Sequence, residues 1–186
     1  MAKKQVIVVT DGDRTAYQAI SAACEELGLA PVGATEGNPT RIRGRQLIQA
    51  IQSTPGNPVV AMVDDRGAAD TGPGERDLAT ILDAKDLEVL GVVAVAANTR
   101  GVRGVVPELS VDHDAEIVSN AVDKRGRVSG PVLRGDTVDV LRHYPKVTVV
   151  GLGDPGKMDG DDSVGRGAPA TTEALKAILQ GGHGDD

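Results

Sequence analysis

Val6-Ile7-Val8-Val9-Thr10-Asp11-Gly12-Asp13 decides how the whole chain is read. Four β-branched apolar residues run into Asp-Gly-Asp. A short apolar run closed by turn residues reads as a central strand buried on both faces. Ala16, Ile20, Ala23 and Leu27 then recur at helical spacing, and Gly28 stops the helix. Asp11 and Asp13 therefore sit on a strand-to-helix turn. In open α/β sheets such turns line the crevice where ligands bind.

The same unit recurs outward from there. Ala30 to Thr35 predicts a second strand, followed by Glu36-Gly37-Asn38-Pro39 and a helix carrying Leu47, Ile48 and Ile51. After the turn Pro55-Gly56-Asn57-Pro58, Val59 to Val63 predicts a third strand ending in Asp64-Asp65. A Gly-rich loop from Arg66 to Glu75 leads into a helix with Leu78, Ile81 and Leu82. The fourth strand is Val89 to Ala96, ending in Asn98-Thr99. Val147 to Val150 is the fifth, followed by Gly151-Leu152-Gly153-Asp154-Pro155-Gly156-Lys157. A polar loop from Met158 to Gly167 precedes a last helix, opened by Pro169, with Leu175, Ile178 and Leu179.

Between the fourth and fifth strands the period changes. Val105 to Val128 alternates, and two similar pieces appear: Val111-Asp-His-Asp-Ala-Glu-Ile-Val118 and Val122-Asp-Lys-Arg-Gly-Arg-Val128. Each reads as strand, turn, strand. Asp136 then reads as the N-cap of a helix through Leu141. The expected fold is α/β: a three-layer α/β/α sandwich with a mostly parallel five-stranded sheet of flavodoxin- or Rossmann-like type. It carries an antiparallel β-hairpin insertion at about 103–130. Residues 1–180 form one domain and 181–186 a disordered tail. Strand order stays open.

Composition narrows the classes of function. The 186 residues suffice for a real core, yet there is no Phe or Trp and only two Tyr. The core must be Val, Leu, Ile and Ala. A net charge of −7 without a block of like charge argues against non-specific nucleic-acid or anionic-membrane binding. Base stacking also lacks its aromatics. Cys24 is the only cysteine, placed as a buried thiol, so neither an intrachain disulfide nor a cysteine zinc site can form. Met1-Ala2-Lys3-Lys4 leads into a strand too short for a signal sequence. No apolar stretch approaches the ~20 residues of a membrane helix. The expectation is a soluble chain whose membrane role, if it has one, works through a partner.

The polar motifs fall after strand ends: Asp11 and Asp13, Glu36 and Asn38, Asp64 and Asp65, Asn98, Asp154 and Lys157. A parallel sheet would set them along one edge. The opposite ends, at Ala30, Asn57-Pro58 and Pro145-Lys146, are plain. Turn chemistry accounts for each motif alone, and Asp13 suits an N-cap as well as a ligand. Convergence favours a site. Asp11, Asp13, Asp64, Asp65 and Asp154 form a tentative oxygen-rich set for magnesium or calcium, since a divalent cation relieves the repulsion of crowded carboxylates. No cofactor is fixed by the sequence. Asn38, Asn98 and Lys157 are the accompanying ligand-binding candidates. Gly72-Pro73-Gly74-Glu75 reads as a helix start rather than an anion cradle. Arg134-Gly135-Asp136 reads as a turn. His113, His143 and His183 have no Ser or Cys partner, so a nucleophilic triad is unsupported.

Taken in order, these pieces resemble one family. The set is Val9-Thr10-Asp11-Gly12-Asp13, Gly37-Asn38-Pro39, Asp64-Asp65, Gly72-Pro73-Gly74-Glu75 and Leu90-Gly91-Val92. It continues with Ala121-Val122-Asp123-Lys124, Arg134-Gly135-Asp136-Thr137, Gly153-Asp154 with Gly156-Lys157-Met158, and Gly167-Ala168-Pro169. Together they resemble the stage V sporulation protein AE family of endospore-forming bacteria over nearly the whole chain. The resemblance implies a role in sporulation and spore germination beside the proteins that move calcium dipicolinate across the inner spore membrane. It implies a soluble member in the cytoplasm or forespore, peripheral to that membrane, with other stage V channel proteins as partners. It brings no catalytic residues, and the site residues above rest on the residues alone. The paucity of aromatics is a departure.

Two other readings compete. Asp11-Gly12-Asp13-Arg14-Thr15 has the Asp-x-Asp-x-Thr form of haloacid-dehalogenase-like phosphotransferases. Asp11 would be nucleophile and Asp13 acid/base, with Asp154 and Asp159 holding magnesium. The helix starting directly after Asp13 leaves no room for the usual flap, so a non-enzymatic role ranks first. A Toprim-like site is disfavoured by the acidic charge and by the lack of a glutamate on an earlier strand. A homodimer through the β insertion is open by analogy only.

Overall fold

The structure, a computed structural model, describes residues 2–66 and 72–181. The middle of the Gly-rich loop, 67–71, and the tail expected beyond Gly181 lie outside the described residues. In chain order the strands are β1 Lys4–Val9, β2 Ala30–Pro31, β3 Val59–Met62, β4 Leu87–Val95, β5 Leu109–Val111, β6 Ile117–Val118, β7 Ala121–Val122, β8 Val128–Gly130 and β9 Val149–Leu152. The α-helices are α1 Arg14–Leu27, α2 Gly44–Ser53, α3 Pro73–Asp83 and α4 Pro169–Gly181.

The main sheet runs β2-β3-β1-β4-β9-β5-β6. The strand expected at Val6–Val9 lies in its middle, paired in parallel with β3 and β4. All pairings are parallel except β5 with β6. The five alternating strands of the sequence are therefore its parallel part, in the order β2-β3-β1-β4-β9. The first hairpin, β5–β6, does not stand apart as an insertion but adds two strands to that sheet. The second hairpin, β7–β8, forms a separate two-stranded sheet.

Side chains on successive residues of a strand face opposite ways. Ile7 and Val9 pack with Ile20 and Cys24 of α1 and Leu175 and Ile178 of α4. Val6 and Val8 pack with Leu47 and Ile51 of α2 and Leu78 and Ile81 of α3. The result is three layers. The chain leaves β1 over one face to reach β2, then works back through β3, β4 and β9 over the other. Helices change face when direction reverses, as a constant right-handed crossover requires. Beside β1, neighbouring connections consequently leave to opposite faces, and a crevice opens there.

The fifth expected strand, Val147–Val150, lies two residues further on at Val149–Leu152, and three other local expectations need correction. The second strand ends at Pro31 rather than Thr35. Val32 N–H still pairs with the Val60 carbonyl at 2.8 Å, but Gly33–Thr35 then turns into a 3-10 helix in which the Thr35 hydroxyl donates to the Val32 carbonyl at 2.6 Å. The helix expected from Asp136 through Leu141 is a 3-10 segment, Asp139–His143, preceded by Val138. Asp136 is therefore not its cap. The fourth strand is shifted slightly, spanning Leu87–Val95.

Candidate functional site

A cleft of about 280 Å³ opens at the carboxyl edge of the sheet across β3, β1, β4 and β9. Its lining includes Asp11 and Asp13 after β1, Asn38 after β2, Asp64 and Arg66 after β3, Thr99 after β4, Asp136, and Asp154 after β9. The sequence placed all of these but Asp136, Thr99 and Arg66 among its candidates.

Each side chain is held by backbone geometry. Val9 and Val63 pair through Val63 N–H to Val9 C=O, so the two strand ends stay together. Asp64 accepts from Gly12 N–H at 3.0 Å and Arg66 N–H at 2.7 Å, which links the first and third turns. Asp11 accepts from Asp13 N–H at 3.1 Å. Asp13 caps α1, accepting from Ala16 N–H at 2.8 Å, while its other oxygen meets Lys157 Nζ at 3.3 Å. Asp13 thus caps α1 and also lines the cleft. Thr10 turns inward and accepts from Val95 N–H at 2.9 Å, which ties β1 to β4 beneath the cleft.

Glycine before aspartate is the recurrent device. A Cβ on Gly12 would lie 2.5 Å from the Gly37 carbonyl, and one on Gly153 would lie 2.7 Å from Gly126 N. One on Gly135 would run into the Val95 carbonyl. Each glycine lets two backbones touch, and each delivers the next residue (Asp13, Asp136, Asp154) to the cleft. Asp136 was legible by this rule. Its reading as an N-cap hid it.

A family model, stage V sporulation protein AE1, matches residues 5–181. The chain belongs to that family. Its role is accordingly related to sporulation. No curated protein and no solved structure matches the chain.

The other candidates of this AE1-family chain fall in different places. Asp65 does not line the cleft. It is 4% exposed and accepts from Gly74 N–H at 2.6 Å and Glu75 N–H at 3.1 Å, so it caps α3. Asn98 lies in an adjoining groove with Lys124 and Arg134, and that groove shares Ala96, Ala97 and Thr99 with the cleft. Asp159 is exposed and does not line the cleft, and Met158 beside it is buried against the α1–α4 face. α1 starts at Arg14, so no flap separates Asp13 from its helix.

Burial and mutual repulsion set the electrostatics. Asp11 is held well above the ordinary carboxylate range, first by burial and then by Asp13, Asp64 and Asp154. Burial also raises Asp64 and Asp154. Lys157 and Lys124 oppose the rise at Asp154. Among the described residues, the one trio whose ligand atoms all lie within 4.8 Å of one another is His113, Asp114 and Asp161, outside the cleft. The cleft carboxylates are too dispersed for three of them to grip one bare ion as placed. What they provide is an acidic pole, with Arg66 inside it and Lys124, Arg134 and Lys157 along its rim.

Proposed function

We propose that this chain is a non-enzymatic accessory component of the assembly that takes up and releases calcium dipicolinate at the inner spore membrane. In this reading the cleft meets the calcium chelate, and contact with the membrane runs through other stage V channel proteins. Family membership supports the sporulation context. The observation that carries the rest is the bipolar cleft, acidic at one end and continued by a groove in which Lys124 and Arg134 outnumber the one carboxylate, Asp123.

A chelate suits such a cleft better than a free ion does. Calcium takes about 6–8 oxygen ligands and tolerates irregular geometry. A pyridine dicarboxylate already fills several positions. The ion then needs one or two protein carboxylates, and Asp11 and Asp154 of the cleft lining are the candidates in this reading. Lys124, Arg134 and Lys157 suit the ligand's own carboxylates. Asn38 and Asn98 add neutral hydrogen bonds.

The test is calorimetric titration with magnesium, calcium and calcium dipicolinate. The chelate should bind more tightly than either bare ion. Asp11→Asn should weaken it about tenfold or more, the scale of one lost charged contact. An unchanged affinity in Asp11→Asn would remove the cleft from the reading. Co-purification with stage V channel proteins from spore membranes tests the assembly separately. Turnover of a phosphate ester with magnesium would move the reading to the phosphotransferase.

A further inference from the structure

The two hairpins between β4 and β9 are one turn built twice. In the first, Asp112 accepts from Asp114 N–H at 2.9 Å and Glu116 N–H at 3.0 Å. In the second, Asp123 accepts from Arg125 N–H at 2.9 Å and Arg127 N–H at 3.0 Å. The fourth residue of each has positive φ: Ala115 at 60° and Gly126 at 79°. Each hairpin pairs a buried valine with an exposed β-branched residue, Val111 with Ile117 and Val122 with Val128. Ile117 is 52% exposed and Val128 is 53% exposed. The turns lie side by side, His113 N–H donating to the Gly126 carbonyl at 2.9 Å.

Their charges are opposite at matching positions. The first hairpin carries Asp114 and Glu116 where the second carries Arg125 and Arg127, all four exposed. Glu116, Arg125 and Arg127 make no ion pair among the described residues, and Asp114 meets only His113, at 3.4 Å. Adjacent halves of opposite sign, each with an exposed apolar residue, make a face that complements itself. A partner of one sign would be repelled by one half. A two-fold axis between the turns would set each hairpin against the opposite hairpin of a second copy, as an isologous interface requires.

We infer that the face formed by the 111–118 and 122–128 hairpins binds a second copy of this chain across a two-fold axis, with Asp114 and Glu116 of each copy meeting Arg125 and Arg127 of the other and Ile117 and Val128 at the centre. The four charged residues of this face line neither the cleft nor the groove that holds Lys124 and Arg134.

Charge reversal on the whole chain tests it, read by sedimentation equilibrium over a range of concentrations and salt. One variant is Arg125→Glu with Arg127→Glu. The other is Asp114→Lys with Glu116→Lys. Each hairpin already shows that the same turn accommodates the other's charges, so both variants retain a foldable turn. Circular dichroism checks that. The unaltered chain should dimerise, less tightly at high salt. Each variant alone should dissociate, its dimer constant weakened about tenfold or more by facing like charges. An equimolar mixture should restore the dimer, because every contact is again between opposite signs. An unaltered chain that stays monomeric overturns the inference and leaves the face to a different protein. Dimers that persist in either variant, or a mixture that does not associate, overturn it too.

Discussion

Asp162 is fully buried, yet it accepts four hydrogen bonds: from Gly156 N–H at 2.8 Å, Ala170 N–H at 2.8 Å, Thr171 N–H at 3.1 Å and the Thr171 hydroxyl at 2.6 Å. It caps α4 and pins the turn that carries Asp154 and Lys157. Asp162→Ala would orphan the buried N–H groups of Ala170 and Thr171 and the half-buried one of Gly156. It should cost about 3 kcal/mol in a urea titration, and the unpinned turn should weaken any ligand held by Asp154. Glu75 is the opposite case, a buried carboxyl held high. Burial, then Asp65 and Asp139, push it up to about 7 from an ordinary 4.5. Between those values the folded state keeps a proton that the unfolded chain releases, so stability falls as pH rises through that window. Glu75→Gln should leave stability near pH 5 almost unchanged and raise it by roughly 1–3 kcal/mol near pH 8, measured by denaturant midpoints. An equal gain at both pH values would mean that the glutamate's shape, not its charge, is the problem.

The twin hairpins give a prediction at the scale of the element. Ala115 and Gly126 occupy the same turn position, both with positive φ, but only one is glycine. Ala115→Gly should relieve backbone strain and stabilise the fold by up to about 1 kcal/mol. Gly126→Ala should destabilise by about 1–3 kcal/mol, since its Cβ would lie 2.8 Å from His113 N and 2.7 Å from Met158 Sδ. Thermal melts of the two variants moving the same way would refute this account of the turns. These hairpins were legible because alternation and turn chemistry are local. So were α1, with its Asp13 cap and Gly28 stop, and the long apolar strands. The joining of β5 to β9 was not legible. It rests on the pairing of Leu109 and Ser110 with Val150 and Gly151, about forty residues along the chain, and no local pattern encodes that. The second strand was legible at Ala30, but its end was drawn too far because Thr35 prefers its own turn to an extended backbone.

At the scale of the molecule, the parallel sheet turned single weak motifs into one cleft. Asp11, Asp13, Asn38, Asp64 and Asp154 meet there because parallel strands end at one edge. Asp65 left the set because Gly74 and Glu75 offered it unpaired N–H groups, a competition that sequence cannot weigh. The acids share one electrostatic consequence. Asp11, Asp64, Asp65, Glu75, Asp77 and Asp154 are all raised, burial being the first cause at each. For Asp77 the rise is from 3.8 to about 6. The folded chain therefore binds protons more tightly than the unfolded chain, and its stability should decline from about pH 4 to about pH 7, the span set by Asp77 and Glu75. A cation in the cleft acts on the same repulsion by a different route. Calcium added as its dipicolinate chelate at the higher pH should raise the thermal midpoint, by several degrees once it saturates the site, and should flatten the pH profile. Sodium chloride at equal ionic strength should do less, because partly buried charges are screened weakly. Asp11→Asn with Asp154→Asn should lose the calcium effect and keep the slope due to Glu75 and Asp77, which lie on α3 outside the cleft. A calcium effect surviving in that double variant would place the cation elsewhere, with His113, Asp114 and Asp161 the next trio to remove.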